Sequence, residues 1–328
     1  MSSHHQTKKN AMIWGALFGA LVFLQPMPAA AASEENADRL KTGNSWNSQM
    51  PALEPVSEYG SFLGLKITLK IQGGWNTFSG GDIKRGIDGM YDNGVAALSA
   101  SGVPIVENHR GSGRGGTEVG GDLIYAITPR FGIGIGMARV SAWKESHLLF
   151  EQPPWGPGSF QSRPHVKVST LRAGLSYSLP FAGLLAISVR GGPAFYSAEY
   201  SCAVGCSSGF LRDGITYTSY SQKASARQWG FEGGLGFEFN PNRFVAIFIE
   251  VQGRYAKFSD LEGDETAAFF QNGQYRQSAD SGPIYIVDTA ANPQLDIIRS
   301  GDAVPGSARR ATLDFSGVSI LAGLKLRL

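Results

Sequence analysis

The sequence predicts an all-β chain, eight antiparallel strands closed into one transmembrane barrel. Three observations predict it. Apolar side chains alternate with polar or small ones in eight separate segments, the period of a strand with two unlike faces. Short and long connections alternate between those segments. Past the N-terminal leader, no stretch approaches the roughly 18 apolar residues of a spanning helix, so only a closed barrel could cross lipid. Composition agrees: 43 of 328 residues are Gly and only 17% are charged, while 42% are hydrophobic and 11% aromatic, enough to exclude a disordered chain.

The leader comes first. Lys8 and Lys9 precede the apolar run Ala11–Leu24 (AMIWGALFGALVFL), and Ala30, Ala31 and Ala32 supply a small-residue exit. That is the pattern of a cleaved secretory signal over residues 1–32. The apolar run has 14 residues, short of the roughly 20 a membrane anchor needs. Its removal takes away two positive charges and no acidic ones, so the formal charge moves from +2 to 0. No general electrostatic case for nucleic acid survives that step. Residues 33–62 are polar, with Pro51 and Pro55, and are expected to form a loosely docked segment with one helical turn around Glu34–Lys41.

The barrel is expected over residues 63–328. Its first strand sets Leu63, Leu65, Ile67, Leu69 and Ile71 against Gly64, Lys66, Thr68, Lys70 and Gln72. The second, Val119–Ile127, has Leu123, Tyr125 and Ile127 opposite Glu118 and Asp122. In the third, Phe131–Trp143, Phe131, Ile133, Ile135 and Met137 alternate with glycines and Ala138. The fourth, Val168–Leu179, places Leu171, Leu175 and Tyr177 against Arg172, Gly174 and Ser176. The fifth pairs Leu185, Ile187 and Val189 with Ala186, Ser188 and Arg190. The sixth has Trp229, Phe231, Leu235, Phe237 and Phe239 against Glu232, Glu238 and glycines. The seventh opposes Val245, Ile247, Ile249 and Val251 to Ala246, Glu250, Gln252 and Arg254. The last, Val318–Leu328, sets Val318, Ile320, Leu324 and Leu326 against Ser319, Gly323, Lys325 and Arg327. Leu313 and Phe315 upstream are out of phase with it, which predicts a bulge near Gly317.

Three connections are tight: Thr128-Pro129-Arg130, Pro180-Phe181-Ala182-Gly183 and Asn240-Pro241-Asn242-Arg243. All carry turn chemistry. Four are long, near Asn76–Gly116, Lys144–Lys167, Tyr196–Arg227 and Ala256–Ala311, and are expected to be loops. Short turns on one side and long loops on the other are the habit of membrane barrels. Tyr125, Phe131, Tyr177, Phe181, Phe239 and Phe244 gather at the short-turn end, and Trp75, Trp143, Phe195, Trp229 and Tyr255 at the other, as two girdles. A soluble barrel would turn its apolar face inward, but here the opposite face is mostly Gly, Ala and Ser, which suits a crowded lumen better than a wet surface.

On these segments, and on the terminal strand Val318–Leu328, residues 63–328 resemble the bacterial eight-stranded outer-membrane barrel superfamily, the group of the OmpA transmembrane domain, OmpX and OmpW. The resemblance implies the outer membrane of a Gram-negative cell, periplasmic short turns and termini, and lipopolysaccharide as surrounding lipid. It also implies delivery by the barrel assembly machinery. Members usually end in an aromatic residue; this chain ends in Leu328 after Arg327. No catalytic residue and no cofactor is implied.

The inward charges are Lys66, Lys70, Glu118, Asp122, Arg172, Arg190, Glu232, Glu238, Glu250, Arg254, Lys325 and Arg327, seven basic and five acidic. They read as an ion-pair network filling the lumen, with a thin polar path for small solutes as the alternative. Cys202 and Cys206 are the only cysteines and, in an exported chain, are expected to form a disulfide within the third long loop. The acidic run Asp260, Glu262, Asp264 and Glu265 is expected on the fourth loop as a solvated stretch, with a divalent cation as the alternative. The rival reading by class is an outer-membrane enzyme working through His109, His147 or His165, all expected in loops. The long loops themselves are the place for surface partners.

Overall fold

The computed structural model describes residues 66–111, 115–152, 156–211, 215–271, 274–288 and 292–328. The leader, the 33–62 segment and its helical turn lie outside them, as do Leu63, Gly64 and Leu65 of the first strand. The chain divides into two units, Met1–Ala52 and Leu53–Leu328, and all described residues belong to the second.

Sixteen strands and one helix are present among the described residues. The strands are β1 (Ile67–Phe78), β2 (Ile105–His109), β3 (Gly115–Ala126), β4 (Phe131–Trp143), β5 (Ser146–Gln152), β6 (Gly156–Ala182), β7 (Leu185–Leu211), β8 (Ile215–Phe239) and β9 (Val245–Tyr255). They continue with β10 (Lys257–Phe258), β11 (Glu262–Gln271), β12 (Gln274–Asp288), β13 (Pro293–Ile297), β14 (Ala308–Arg310), β15 (Leu313–Asp314) and β16 (Gly317–Arg327). The helix, α1, spans Gly81–Ala100. Each of the eight alternating segments lies in a strand: β1, β3, β4, β6, β7, β8, β9 and β16. Every ladder among them is antiparallel, and the pairings lead from β1 through β3, β4, β6, β7, β8, β9 and β16 back to β1. The three tight turns are built as their residues dictate. Thr128 Oγ1 accepts the Phe131 N–H at 3.0 Å, Asn242 Oδ1 accepts from Phe244 and Val245 at 2.9 Å each, and Gly183 takes φ 51°.

The four expected loops are instead largely regular structure. β6, β7 and β8 run 27, 27 and 25 residues, far beyond the girdle of Trp143, Phe195 and Trp229. β5 and β2 extend this sheet from β6, while β11, β12 and β13 extend it from β8. The reason is a change of face. In the lower half the apolar side chains of these strands point outward: Met137 is 68% exposed and Phe231 66%. In the upper half the buried positions are the alternate ones, Val166 and Val168 on β6, Tyr196, Ala198 and Tyr200 on β7, and Ala224 and Ala226 on β8. They form one core with Ile83 and Ile87 of α1 and with Phe258, Ile284, Ile286, Leu295, Leu313 and Phe315. The expected bulge near Gly317 is therefore a correction: Leu313 and Phe315 face inward into this core, like Ser319 and Leu321 further on, and the chain merely breaks between β15 and β16.

Helix α1 occupies part of the first expected loop. Ile83, Ile87 and Tyr91 recur every fourth residue and are buried, the stripe a helix presents to a core. Gly86 and Gly89 let it press against β13: a Cβ on Gly86 would overlap the Leu295 side chain, and one on Gly89 the Pro293 carbonyl oxygen. Asp82 fastens the first turn. Its carboxylate accepts from the Arg309 guanidinium at 2.5 and 2.7 Å and from the Thr312 hydroxyl and N–H at 2.9 and 3.1 Å. Burial by itself would raise this carboxyl, but the bonds from Arg309 and Thr312 outweigh it and hold Asp82 below its ordinary 3.8. The stability it contributes is thus fully present above 3.8 and is lost as pH falls through the lower folded value. Hydrogen exchange of α1 should accelerate on acidification across that range, while Asp82→Asn should show the weakened helix, by about 1.5–3 kcal/mol, at every pH. An acid step of equal size in the Asn variant would remove Asp82 as its source.

The expected disulfide is a second correction. Cys202 and Cys206 sit four residues apart on one extended strand, both as free thiols. That spacing separates their Cα atoms by about 13 Å, twice what a disulfide tolerates. Burial raises both thiols above their ordinary values, so they stay protonated and slow to react. Alkylation in denaturant without reductant should modify both cysteines, and reductant should leave the unfolding midpoint unchanged. Recovery of an intramolecular crosslink would contradict this strand geometry.

Candidate functional site

The inward faces of the ring strands hold buried charges. Lys70 is 1% exposed and Glu250 2%. The local sequence arranges them: alternation along each strand turns Lys70, Gln72, Asp122, Arg172, Glu250 and Gln252 to the same side as the small residues. Asp122, Gly136 and Arg172 lie in one register row across β3, β4 and β6. The glycine between the two charged residues is what lets them meet. A Cβ on Gly136 would overlap Asp122 Oδ1.

The central cluster has three cations and three anions. Arg172 donates to Asp122 at 2.6 and 3.1 Å and lies 3.1 Å from Glu232. Arg190 donates to Glu250 at 2.5 Å, to Asp122 at 3.3 Å and to Gln252 at 2.6 Å. Lys70 donates to Glu250 at 2.7 Å and lies 3.8 Å from Asp122 and 4.5 Å from the Phe248 ring centroid. Gln252 donates to Glu232 at 3.0 Å. Above it, Arg254 donates to Glu118 at 3.0 Å and Ser319 at 2.7 Å and covers the Phe315 ring at 4.2 Å. Below it, Lys325 donates to Glu238 at 2.5 Å, with Arg327 4.0 Å away and bonded to Asn240. Of the twelve residues read as inward charges, these eleven are brought together. Lys66 stands apart, exposed just before β1.

Two further features of the lumen were not foreseen. A cavity opens beside Asp122, Arg172, Arg190, Glu232 and Gln252, under the glycines of β4, β6 and β7. Gln72 and Asn76 on β1 are buried with no protein partner for either side-chain amide. The inward phase of Gln72 was legible in the first strand, whereas Asn76 was expected in the first long loop; their isolation depends on what stands opposite.

Two solved outer-membrane proteins are similar to this chain. OprG from Pseudomonas aeruginosa aligns at 12% identity and TM-score 0.31, covering 80% of this chain and 96% of that one. A major outer membrane protein from Thermus thermophilus aligns at 11% identity and TM-score 0.34, covering 80% and 99%. No family model matches the sequence, and no curated protein does.

The remaining candidates are scattered. His109 lies on β2, His147 on β5 and His165 on β6, so none is in a loop. His109 and His147 stack with ring centroids 5.0 Å apart, and His147 meets Glu107 at 2.7 Å. Ser141 and His165 share a hydrogen bond of 2.9 Å on the outer side of β4 and β6, away from the other two histidines. The acidic run is likewise strand rather than loop from Glu262 onward. Asp260 meets Arg310 at 3.0 Å, Asp264 accepts from Ser281 at 2.5 Å, and Glu265 accepts from Tyr220 at 2.8 Å. Among the described residues no group of three or more His, Cys, Asp or Glu side chains is placed to hold a metal ion.

Proposed function

We propose that this chain is an integral outer-membrane protein whose eight ring strands span the lipid as a closed barrel, plugged by its own charges, and whose long strands raise a structured head above the cell surface. The observation that carries this reading is the central cluster: three cations and three anions hydrogen-bonded across the lumen within the width of the ring. Side chains just fill a barrel of that size, and a cluster of balanced, mutually paired charges offers no net field to an ion. The outward band around it supports the lipid setting, since Trp75, Ile135, Met137, Trp229, Phe231, Phe237, Tyr255 and Ile320 stand more than half exposed. A soluble monomer rarely shows more than a few hundred Å² of such surface in one patch. Lipopolysaccharide would surround the upper girdle, the barrel assembly machinery would insert the chain, and any partner would meet the head formed by β5–β8, β11–β13 and α1.

A second reading, a narrow passage for small solutes, is favoured by the cavity at Arg172 and by the partnerless amides of Gln72 and Asn76. Buried amides of that kind are the sort that internal water satisfies. Single-channel recording of the refolded protein in planar bilayers separates the two. The plugged scaffold predicts silence, with Arg190→Ala lowering only the stability. Discrete openings that shift with Arg190→Ala or Glu232→Ala would establish the passage instead.

A further inference from the structure

β3 begins at Gly115, opposite Thr77 of β1. Its neighbour β4 runs on to Trp143, which pairs with His165 of β6. A pocket lies near the ends of β1 and β4, lined by Phe78 at the end of β1, by Ile83 and Ile87 of α1, and by Ala142, Val166 and Leu313. The lining is mostly apolar, as small-ligand sites are. Trp143 belongs to both worlds: it lines the pocket and is 63% exposed on the outer side, in the upper girdle.

Two cations and one acid, Lys84, Lys144 and Asp88, are among the residues lining the pocket. Lys84, one turn into α1, lines it and has no carboxylate within ion-pair distance among the described residues. The acids that a helix would normally offer it are engaged elsewhere. Asp82 is held by Arg309 and Thr312, while Asp88 is 2.5 Å from Lys144 and 3.7 Å from Arg110. An apolar pocket opening beside the lipid boundary, under a free ammonium, matches one kind of molecule.

We propose that this pocket takes the acyl chain of an anionic amphiphile, with the chain against Phe78, Ile83, Ile87 and Val166 and the head group on Lys84. The proposal rests on the membrane setting proposed above, because Trp143 opens the pocket toward lipid only if lipid surrounds the girdle. Carboxylate and phosphate heads share the required chemistry, so a free fatty acid and a membrane phospholipid are both possible sources.

The test uses the refolded protein in phosphatidylcholine nanodiscs titrated with radiolabelled palmitate. Saturable binding of one palmitate per chain is expected, with hexadecanol much weaker because it lacks the charge. Lys84→Gln should weaken palmitate about tenfold, the effect of losing roughly 1.4 kcal/mol, and Lys84→Arg should largely restore it. Ile87→Trp, which fills the pocket, should abolish saturable binding; since Ile87 is also core, Lys84→Gln is the decisive variant. Displacement by phosphatidic acid doped into the disc would assign a membrane lipid as the source, and its failure to displace would assign the free carboxylate. Equal binding by wild type and Lys84→Gln, or hexadecanol binding as well as palmitate, would overturn the proposal. So would the absence of saturable binding to inserted protein. A chain that never enters the disc would overturn the membrane reading itself, and this proposal with it.

Discussion

Replacing Glu250 by alanine is expected to destabilise the barrel by about 3–5 kcal/mol, the cost of stranding buried charge after one partner is removed. Glu250 accepts from Lys70 at 2.7 Å and from Arg190 at 2.5 Å, and both it and Lys70 are almost fully buried. Its loss leaves two cations facing only Asp122, Gln252 and, 4.0 Å from Arg190, Glu232. Truncation also opens space beneath Phe248, over whose ring Lys70 now sits. The midpoint of urea unfolding in lipid vesicles, read from the gel shift between folded and unfolded barrel, measures the change. Pairing Glu250→Leu with Lys70→Met should recover much of the loss, because well-packed apolar side chains often replace a buried ion pair without penalty. If Glu250→Ala moved the midpoint by less than about 1 kcal/mol, the value usual for exposed pairs, the cluster would have to be open to water.

On the outer face, Met137→Arg is expected to cost about 2–4 kcal/mol of insertion stability, the depth-dependent penalty for a cation near the midplane of a barrel's lipid face. Met137 is midway along β4, between the Phe131 and Trp143 girdles, and 68% exposed. Ser225→Arg is the control. Ser225 is also exposed and outward-facing, but it stands on the part of β8 above Trp229 and should stay within about 0.5 kcal/mol, as a wet surface site does. The contrast between the two sites is the diagnostic quantity. In water both substitutions would be nearly neutral, so equal small effects would end the membrane reading, whatever the fold.

How much of this was legible in the sequence varies with height along the strands. In the lower half, period-two alternation places the described outward apolar residues of these strands and all but one of the inward charges. The third strand even has the bounds expected of it, Phe131–Trp143. Upstream and downstream of the girdle the same strands continue, but their apolar residues shift to the other phase. Val166 and Val168, Tyr196 and Tyr200, and Leu313 and Phe315 are inward, where the lower residues of those strands or their continuations are outward. A reading that follows one apolar face sees the pattern fail there and writes a loop. The helix was hidden for a related reason: Ile83, Ile87 and Tyr91 have helical spacing, yet the glycines among them look like loop residues until β13 is placed against them.

Local alternation in the chain is enough to establish that the segments are strands, which face of each is apolar, and which charges share a side. Those properties depend only on the two-residue repeat of extended backbone. What each face meets was settled only by assembly in three dimensions. Closure of the ladder from β16 onto β1 turns one set of charges into a mutually paired cluster, because only then does Lys70, beside Asp122 on the neighbouring β3, come within hydrogen-bond reach of Glu250. The rise of β6, β7 and β8 beyond the girdle settled the rest. There the inward face of these strands packs against α1 and the strands β10, β12, β13 and β15, so the buried side chains are the alternate ones. That packing converts expected loops into a packed head, and Cys202 and Cys206 lie on one extended strand where they cannot meet.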